Sequence, residues 1–176
     1  RSGGFFTGVK SITDSDWHVV DCMATRMCSR STFCGEEGTW TPTYVASTVD
    51  FTSVTYDTGF TGGKYTKVGD LVHIQGAIRT DAITVGSASG VIQIGGLPFA
   101  IGGSTNGRDG FIAGSIGVAT DFATDHPVTL YGGAGTSQII PMTRNSANGA
   151  TANLVVGDLD TGADKNLIYF SATYKS

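Results

Sequence analysis

The sequence predicts an all-β domain of the antiparallel β-sandwich or jelly-roll-like class, and three observations support this prediction. Glycine is abundant, with 26 residues in a chain of 176, but it has no G-X-Y period, which excludes collagen. Helix-forming residues are scarce, because Glu36 and Glu37 are the only glutamates. From Gly38 onward, short apolar runs alternate with Gly, Asn, Asp and Ser clusters, at a spacing that predicts roughly eight to ten strands.

Alternation of apolar and polar residues identifies individual strands. One parity of a strand carries Val72, Ile74 and Ile78, and the other carries His73, Gln75 and Arg79. This alternation is typical of a strand with one buried face. The closing strand repeats this pattern and should leave Tyr169 on the face opposite the buried one. Its buried face is expected to carry Ile168, Phe170, Ala172 and Tyr174. Gly69-Asp70 suits a tight hairpin turn, and Trp40 is expected to pack where the domain begins.

The composition changes near Gly38, which predicts two regions. Residues 1–37 contain all three cysteines and have poor periodicity, whereas residues 38–176 carry the strand pattern. We therefore expect an N-terminal connector segment, which could be the end of an upstream module, followed by one β-sandwich domain. Because the chain starts at Arg1 rather than at Met, we expect it to be part of a longer polypeptide.

The charge pattern argues against two classes of partner. The chain has a formal net charge of −4 and no basic stripe that could neutralise phosphates, so we expect no nucleic-acid partner. No apolar run reaches the length of a membrane span, and the first residues do not form a signal-peptide pattern. We therefore expect no membrane insertion.

The cysteine-containing segment could be read as a zinc site. His18, Cys22, Cys28 and Cys34 have the spacing H-x3-C-x5-C-x5-C, which is wider than the gaps of most structural zinc sites. The alternative is that the cysteines are reduced, buried thiols in a protein assembled in a bacterial cytosol. We favour this alternative, and three cysteines cannot pair completely within one chain.

Two further patterns are weighed against plain structural roles. Residues 158–164 resemble the start of an EF-hand calcium loop, with aspartates at loop positions one, three and seven. However, Gly162 occupies position five, which needs a side-chain oxygen, and Ala163 occupies position six, which needs glycine. We therefore expect a solvated turn. The domain from Gly38 onward contains no glutamate and no G-x-S-x-G motif. Asp109, Asp121 and Asp125 lie in predicted loops where a turn role suffices. We therefore expect no enzyme activity, no cofactor and no metal site.

Four stretches of residues 38–176 together resemble a known family. They are Gly38-Thr-Trp-Thr-Pro-Thr, Gly63-Lys-Tyr-Thr-Lys-Val-Gly-Asp-Leu-Val-His-Ile-Gln-Gly, Ile94-Gly-Gly-Leu-Pro-Phe and Tyr169-Phe-Ser-Ala-Thr-Tyr. In this order they are similar to the C-terminal receptor-binding or tip domain of tailed-bacteriophage tail fibres and tailspikes. Residues 1–37 have no counterpart in this resemblance.

The resemblance implies a homotrimer in the virion tail, made in the cytoplasm of the host bacterium. It also implies attachment to the bacterial surface through a glycan or an outer-membrane protein, and contact with other virion tail proteins. One alternative is a purely structural virion component, such as a fibre connector, a head fibre or a decoration protein. Another is the non-catalytic C-terminal trimerisation domain of a glycan depolymerase.

Aromatic residues near predicted loops or strand ends are the candidate glycan contacts, because a flat ring covers the apolar face of a sugar. This group contains Tyr44, Tyr56, Phe60, Tyr65 and Tyr131. For each one, packing in the core or in a trimer interface is the competing interpretation. Combined with the glycine-rich loop at residues 102–110, the pattern predicts a receptor-binding site at Arg108, Asp109 and Tyr131.

Overall fold

The computed structural model describes residues 35–104, 110–144 and 149–176, and the regular secondary structure of these residues is almost entirely β-strand. In the described ranges there are eleven strands, one 3₁₀ turn at Val156–Asp158 and no α-helix. The strands are β1 (Gly35–Trp40), β2 (Thr43–Ala46), β3 (Ser53–Tyr56), β4 (Gly62–Val68), β5 (Leu71–Thr84), β6 (Ile92–Gly95), β7 (Phe111–Thr120), β8 (Pro127–Gly133), β9 (Ile140–Thr143), β10 (Ala152–Asn153) and β11 (Lys165–Lys175). The count exceeds the predicted eight to ten because strands as short as β2 and β10 cannot display a readable alternation.

Nine strands form one antiparallel sheet in the order β1-β4-β5-β11-β7-β8-β9-β10, with β3 paired to the C-terminal part of β5. Strand β11 therefore lies between β5 and β7. The predicted inward residues of β11 are confirmed as buried, namely Ile168, Phe170, Ala172 and Tyr174. The predicted inward residues of β5 are also confirmed as buried, namely Val72, Ile74 and Ile78.

Strands β2 and β6 form a separate two-stranded sheet that shares a core with the large one. Their side chains Tyr44, Ile92 and Ile94 belong to the same buried cluster as the inward residues of β5 and β11. Reciprocal backbone hydrogen bonds of 2.7 and 3.0 Å join Ile94 to Ile139, next to β9. The predicted fold class, an antiparallel, sandwich-like all-β domain, is confirmed.

Two local predictions at the ends of strands are also confirmed. Gly69 has φ +60° and closes the hairpin between β4 and β5, where Val68 pairs with Leu71. Trp40 ends β1, is 7% exposed and packs edge-on against Phe170, with the ring centroids 5.9 Å apart. The chain thus places a large aromatic side chain under the first strand of the sheet.

A buried asparagine sets the register of β11. Asn166 has φ +54°, a left-handed conformation that asparagine tolerates better than most residues. Its amide donates to Thr80 Oγ1 at 2.8 Å and to the Asp160 carbonyl at 2.7 Å, and its oxygen accepts from Asp160 N at 2.9 Å. The register of β11 against β5 shifts just before Ile168. After this shift Ile168 is buried and Tyr169 is exposed on the opposite face.

The described sheet begins at Gly35, three residues before the boundary expected at Gly38. The proposed zinc or thiol residues His18, Cys22, Cys28 and Cys34 lie outside the described residues, so both interpretations of them stay predictions. Within the described ranges, no helix has the length and apolar character needed to cross a bilayer. The homotrimer likewise stays a prediction.

Candidate functional site

Tyr131 lies within strand β8 rather than in a loop. Its ring stacks on Phe111 of β7, with centroids 6.0 Å apart and ring planes inclined by 28°. Tyr131 is 43% and Phe111 51% exposed, although both are paired in the β7–β8 ladder, Phe111 with Gly133 and Tyr131 with Ala113. We call this exposed aromatic pair the Phe111–Tyr131 platform. Arg108 and Asp109 lie outside the described residues, so their association with Tyr131 stays a prediction.

The other four aromatic candidates occupy different environments. Tyr44 is a core residue, 3% exposed, and its hydroxyl donates to a backbone carbonyl of β11 at 2.9 Å. The hydroxyl of Tyr56 accepts a hydrogen bond from the Tyr44 backbone at 2.7 Å, and that of Tyr65 donates to Glu36 at 2.9 Å. Phe60 is 40% exposed and is the most exposed of these four residues.

A groove with a volume of about 650 Å³ opens on the outer face of the large sheet, across β1, β4, β5 and β11. Its floor consists of small residues that face one another, Gly62 opposite Ala77 and Gly63 opposite Gly76. Tyr169 of β11 pairs with Ala77 and stands beside this floor with 40% of its surface exposed. We call this site the Tyr169 groove.

Two glycines of the floor, Gly63 and Gly76, follow from the packing of the aromatic side chains beneath them. A Cβ atom at Gly63 would collide with the indole of Trp40 and lie 2.7 Å from the Gln75 carbonyl. A Cβ atom at Gly76 would lie 3.0 Å from the ring of Phe170. The buried Trp40 Nε1 has no hydrogen-bond partner among the described residues, so packing alone holds this side chain. The large side chains below the sheet thus leave no room for a side chain at Gly63 or Gly76.

Polar side chains line one long side of the Tyr169 groove. Thr39, Lys64 and Gln75 pair in register across β1, β4 and β5, and all three are exposed. Lys64 takes part in no ion pair with any residue in the described part of the chain. An ammonium group and a carboxamide supply several donors and one acceptor, which suits a ligand rich in hydroxyl groups.

Phe60 stands next to the Tyr169 groove and is held by a charged cluster. The guanidinium of Arg79 lies over its ring, 3.8 Å from the centroid, and pairs with Asp57 and with Asp164 at 3.0 Å. Asp57 also accepts a 2.7 Å hydrogen bond from Gly59 N, which closes the turn that carries Phe60. The hydrogen bond from Arg79, followed by that from Gly59, lowers the pKa of Asp57 below its usual value.

The aspartates of the calcium-like segment have separate structural partners. Asp158 is 8% exposed and accepts hydrogen bonds from Thr124 Oγ1 and, at 2.8 Å, from Val155 N. Asp160 accepts from Gly162 N at 2.8 Å, as in a tight turn. Carboxylate oxygens of Asp57, Asp81 and Asp164 lie within 4.8 Å of one another, and Arg79 pairs with two of the three. Arg79 therefore already supplies positive charge to this acidic cluster.

Comparisons with protein-family models, with curated proteins and with solved structures found no match. The fold and the site therefore define the class of this chain, which is a sandwich-like antiparallel β-domain with an open, aromatic-flanked groove on the outer face of its large sheet.

Sequence reasoning placed Tyr169 on the face of β11 opposite the buried one but did not select it as a contact. The signal available in the sequence was the pair of small dipeptides, Gly62-Gly63 and Gly76-Ala77, on either side of a predicted hairpin.

Proposed function

We propose that this domain is the attachment module of a tailed-bacteriophage tail fibre or tailspike and that it holds a host-surface glycan without cleaving it. The resemblance of four stretches of residues 38–176 to the tip domains of such fibres supports the biological setting. The same resemblance supports a homotrimer in the virion tail. Three weak sites on one particle would strengthen attachment through a high effective concentration.

The single observation that carries glycan binding is the Tyr169 groove. A sugar ring has an apolar face of C–H groups and an edge of hydroxyl groups, and the groove offers a counterpart to each. The exposed ring of Tyr169 can cover the apolar face, and Lys64 and Gln75 can hydrogen-bond to hydroxyl groups. Gly62, which faces outward and has no side chain, lets the ligand approach the backbone closely.

The Phe111–Tyr131 platform supports a second contact region on the same sheet. Its two stacked rings are exposed on paired strands and therefore need little ordering when a ligand binds. Arg108 and Asp109, which we propose as hydrogen-bonding partners of this region, precede Phe111 closely in sequence. A fibre connector would instead use exposed rings of this kind to contact another virion protein. An experiment is therefore needed to separate glycan attachment from a connector function.

The test is a glycan array of bacterial surface polysaccharide fragments probed with the purified domain, followed by titration of the bound glycan. We expect Tyr169→Ala to weaken binding at least about tenfold, which corresponds to about 1.4 kcal/mol. Tyr131→Ala tests the platform separately, because it removes a comparably exposed tyrosine from the same sheet, and Val49→Ala, which truncates an exposed side chain outside the groove and the platform, is the control. A domain that binds no glycan would support the connector function. Loss of binding in Tyr131→Ala alone would move the site to the platform.

A further inference from the structure

We propose that the Tyr169 groove holds an oligosaccharide of at least two sugar units in two adjoining subsites, with Tyr169 between them and Phe60 at the far end. This inference rests on the proposed function, because it specifies which glycans the same groove accepts. It also predicts that a single terminal sugar is a poor ligand.

The first observation is that the Tyr169 groove continues into a smaller one. This second groove has a volume of about 310 Å³ and lies beside the turn at residues 59–62. Both grooves are lined by Gly62, Ala77 and Tyr169. Because these three residues belong to both, the two grooves meet along the side of the tyrosine ring and form one continuous surface.

The second observation is that each groove has its own exposed aromatic ring. Tyr169 serves the larger groove, and Phe60, also 40% exposed, serves the smaller one. The smaller volume lies at the lower end of the range for small-ligand sites, about 300 Å³, which fits one sugar ring. The larger groove has about twice that volume and can hold one ring or more.

The third observation is that Phe60 is fixed in its exposed position before any ligand arrives. Arg79 covers part of the ring at 3.8 Å from the centroid and is itself held by two carboxylates. Phe60 N also donates to the Asp57 carbonyl at 3.2 Å, which completes the turn. A ring that is already ordered loses little conformational entropy on binding, so it can contribute to affinity even in a shallow groove.

These observations predict how affinity depends on ligand length. Each groove is open to solvent, and a single sugar stacked on one ring should bind weakly. When two sugars are covalently linked, the second contact becomes intramolecular and benefits from a high effective concentration. Affinity should therefore rise steeply when the ligand becomes long enough to reach both Tyr169 and Phe60, and it should level off once both subsites are filled.

The experiment uses the polysaccharide identified on the glycan array, partially hydrolysed and separated into fragments of one to six sugar units. Titration calorimetry of the whole chain with each fragment gives affinity as a function of length. We expect a gain of at least about tenfold between one unit and two or three units, followed by a plateau. Tyr169→Ala should weaken all fragments, since its ring borders both subsites.

Variants of Phe60 isolate the second subsite. Phe60→Ala should remove the gain with length while leaving the affinity for one unit unchanged, and Phe60→Trp should keep the gain. Phe60→Leu should behave like Phe60→Ala, and because leucine keeps apolar contact under Arg79 it guards against a folding defect. Phe111→Ala tests the platform as the alternative second contact, and Val49→Ala is the control, since it truncates a comparably exposed apolar side chain outside the platform and both grooves.

The outcomes separate this inference from the proposed function. A glycan that binds with the same affinity at one unit as at several units would overturn the two-subsite inference and leave glycan binding intact. The two-subsite inference would also be overturned if Phe111→Ala, and not Phe60→Ala, removed the gain with length. A chain that binds no fragment of any length would overturn both the inference and the proposed function.

Discussion

At the scale of single residues, two adjacent glycines have opposite roles in the groove. Gly63 faces the core, where a side chain would collide with Trp40. Gly62 faces outward, and a Cβ atom there would have no heavy atom within 4 Å. The first glycine is therefore required by packing, whereas the second leaves open the space that we assign to the ligand.

This difference predicts opposite effects of the same substitution at neighbouring positions. Gly63→Ala should lower the free energy of unfolding by about 1–3 kcal/mol, because the added methyl group overpacks the core. Gly62→Ala should leave stability unchanged or slightly higher but weaken glycan binding, because its methyl group projects into the groove. Denaturant unfolding and glycan titration of both variants measure the two effects. Equal destabilisation by the two substitutions would contradict this assignment.

The residues of the site show where sequence reasoning reached its limit. The exposure of Tyr169 followed from the parity of β11 and was predicted correctly. The glycine floor was not recognised from the sequence. Glycine is needed at positions 63 and 76 because Trp40 and Phe170, which lie in other strands, fill the space of a side chain. Short-range patterns predict which face a side chain occupies, but contacts across strands depend on a register that the pattern does not contain.

At the scale of strands, the same limit explains what was predicted and what was missed. The long strands β5 and β11 have clear alternation, and their buried faces were predicted correctly. The register shift before Ile168 was missed, since it depends on hydrogen bonds from Asn166 to Thr80 and to Asp160. A buried asparagine in a left-handed conformation carries no local signal that distinguishes it from a turn residue.

The packing of β11 also predicts a dependence of stability on alkaline pH. Burial raises the pKa of Tyr174 to about 12, above its value of about 10 in an unfolded chain. The folded state therefore retains this proton longer, and its stabilising effect is complete below pH 10 and lost as pH rises towards 12. Burial raises the pKa of Tyr56 to about 12 as well, so both residues contribute to the loss.

Tyr174→Phe tests this prediction. Its hydroxyl donates to the Phe99 carbonyl at 2.9 Å, so the variant should be about 1 kcal/mol less stable at neutral pH. Between pH 10 and 12 its free energy of unfolding should fall less steeply than that of the wild type. Denaturant titrations at several pH values measure both slopes, with the exposed Tyr131→Phe as control. Identical slopes in Tyr174→Phe and wild type would contradict the prediction.

At the scale of the whole molecule, the surface favours association through faces rather than through sheet edges. Strand β1, at one end of the large sheet, carries Glu36 and Glu37, and β10 at the other end has two residues. Short or charged edge strands discourage edge-to-edge pairing. Exposed aliphatic side chains remain on the strands, including Leu71 at 56% and Val128 at 49%. These are candidates for the contacts of the proposed homotrimer.

Sedimentation equilibrium at micromolar concentration tests the homotrimer. We expect a mass three times that of the 18.2 kDa chain. Leu71→Glu should shift the equilibrium towards the single chain if this side chain is buried between copies, because an unpaired charge is costly to bury. A wild-type mass equal to that of one chain would refute the trimer.

The central claim is that a glycan occupies the groove above Trp40, and the fluorescence of this residue tests it most directly. The chain has two tryptophans, so Trp17→Phe leaves Trp40 as the only tryptophan, whose emission can be excited selectively over that of the tyrosines. Because Trp40 lines the groove, a glycan selected on the array should shift its emission in a saturable manner, with the midpoint measured by calorimetry. In Tyr169→Ala the midpoint of this shift should move to a glycan concentration at least about tenfold higher. Glycan binding that leaves Trp40 emission unchanged would place the ligand elsewhere and contradict the claim.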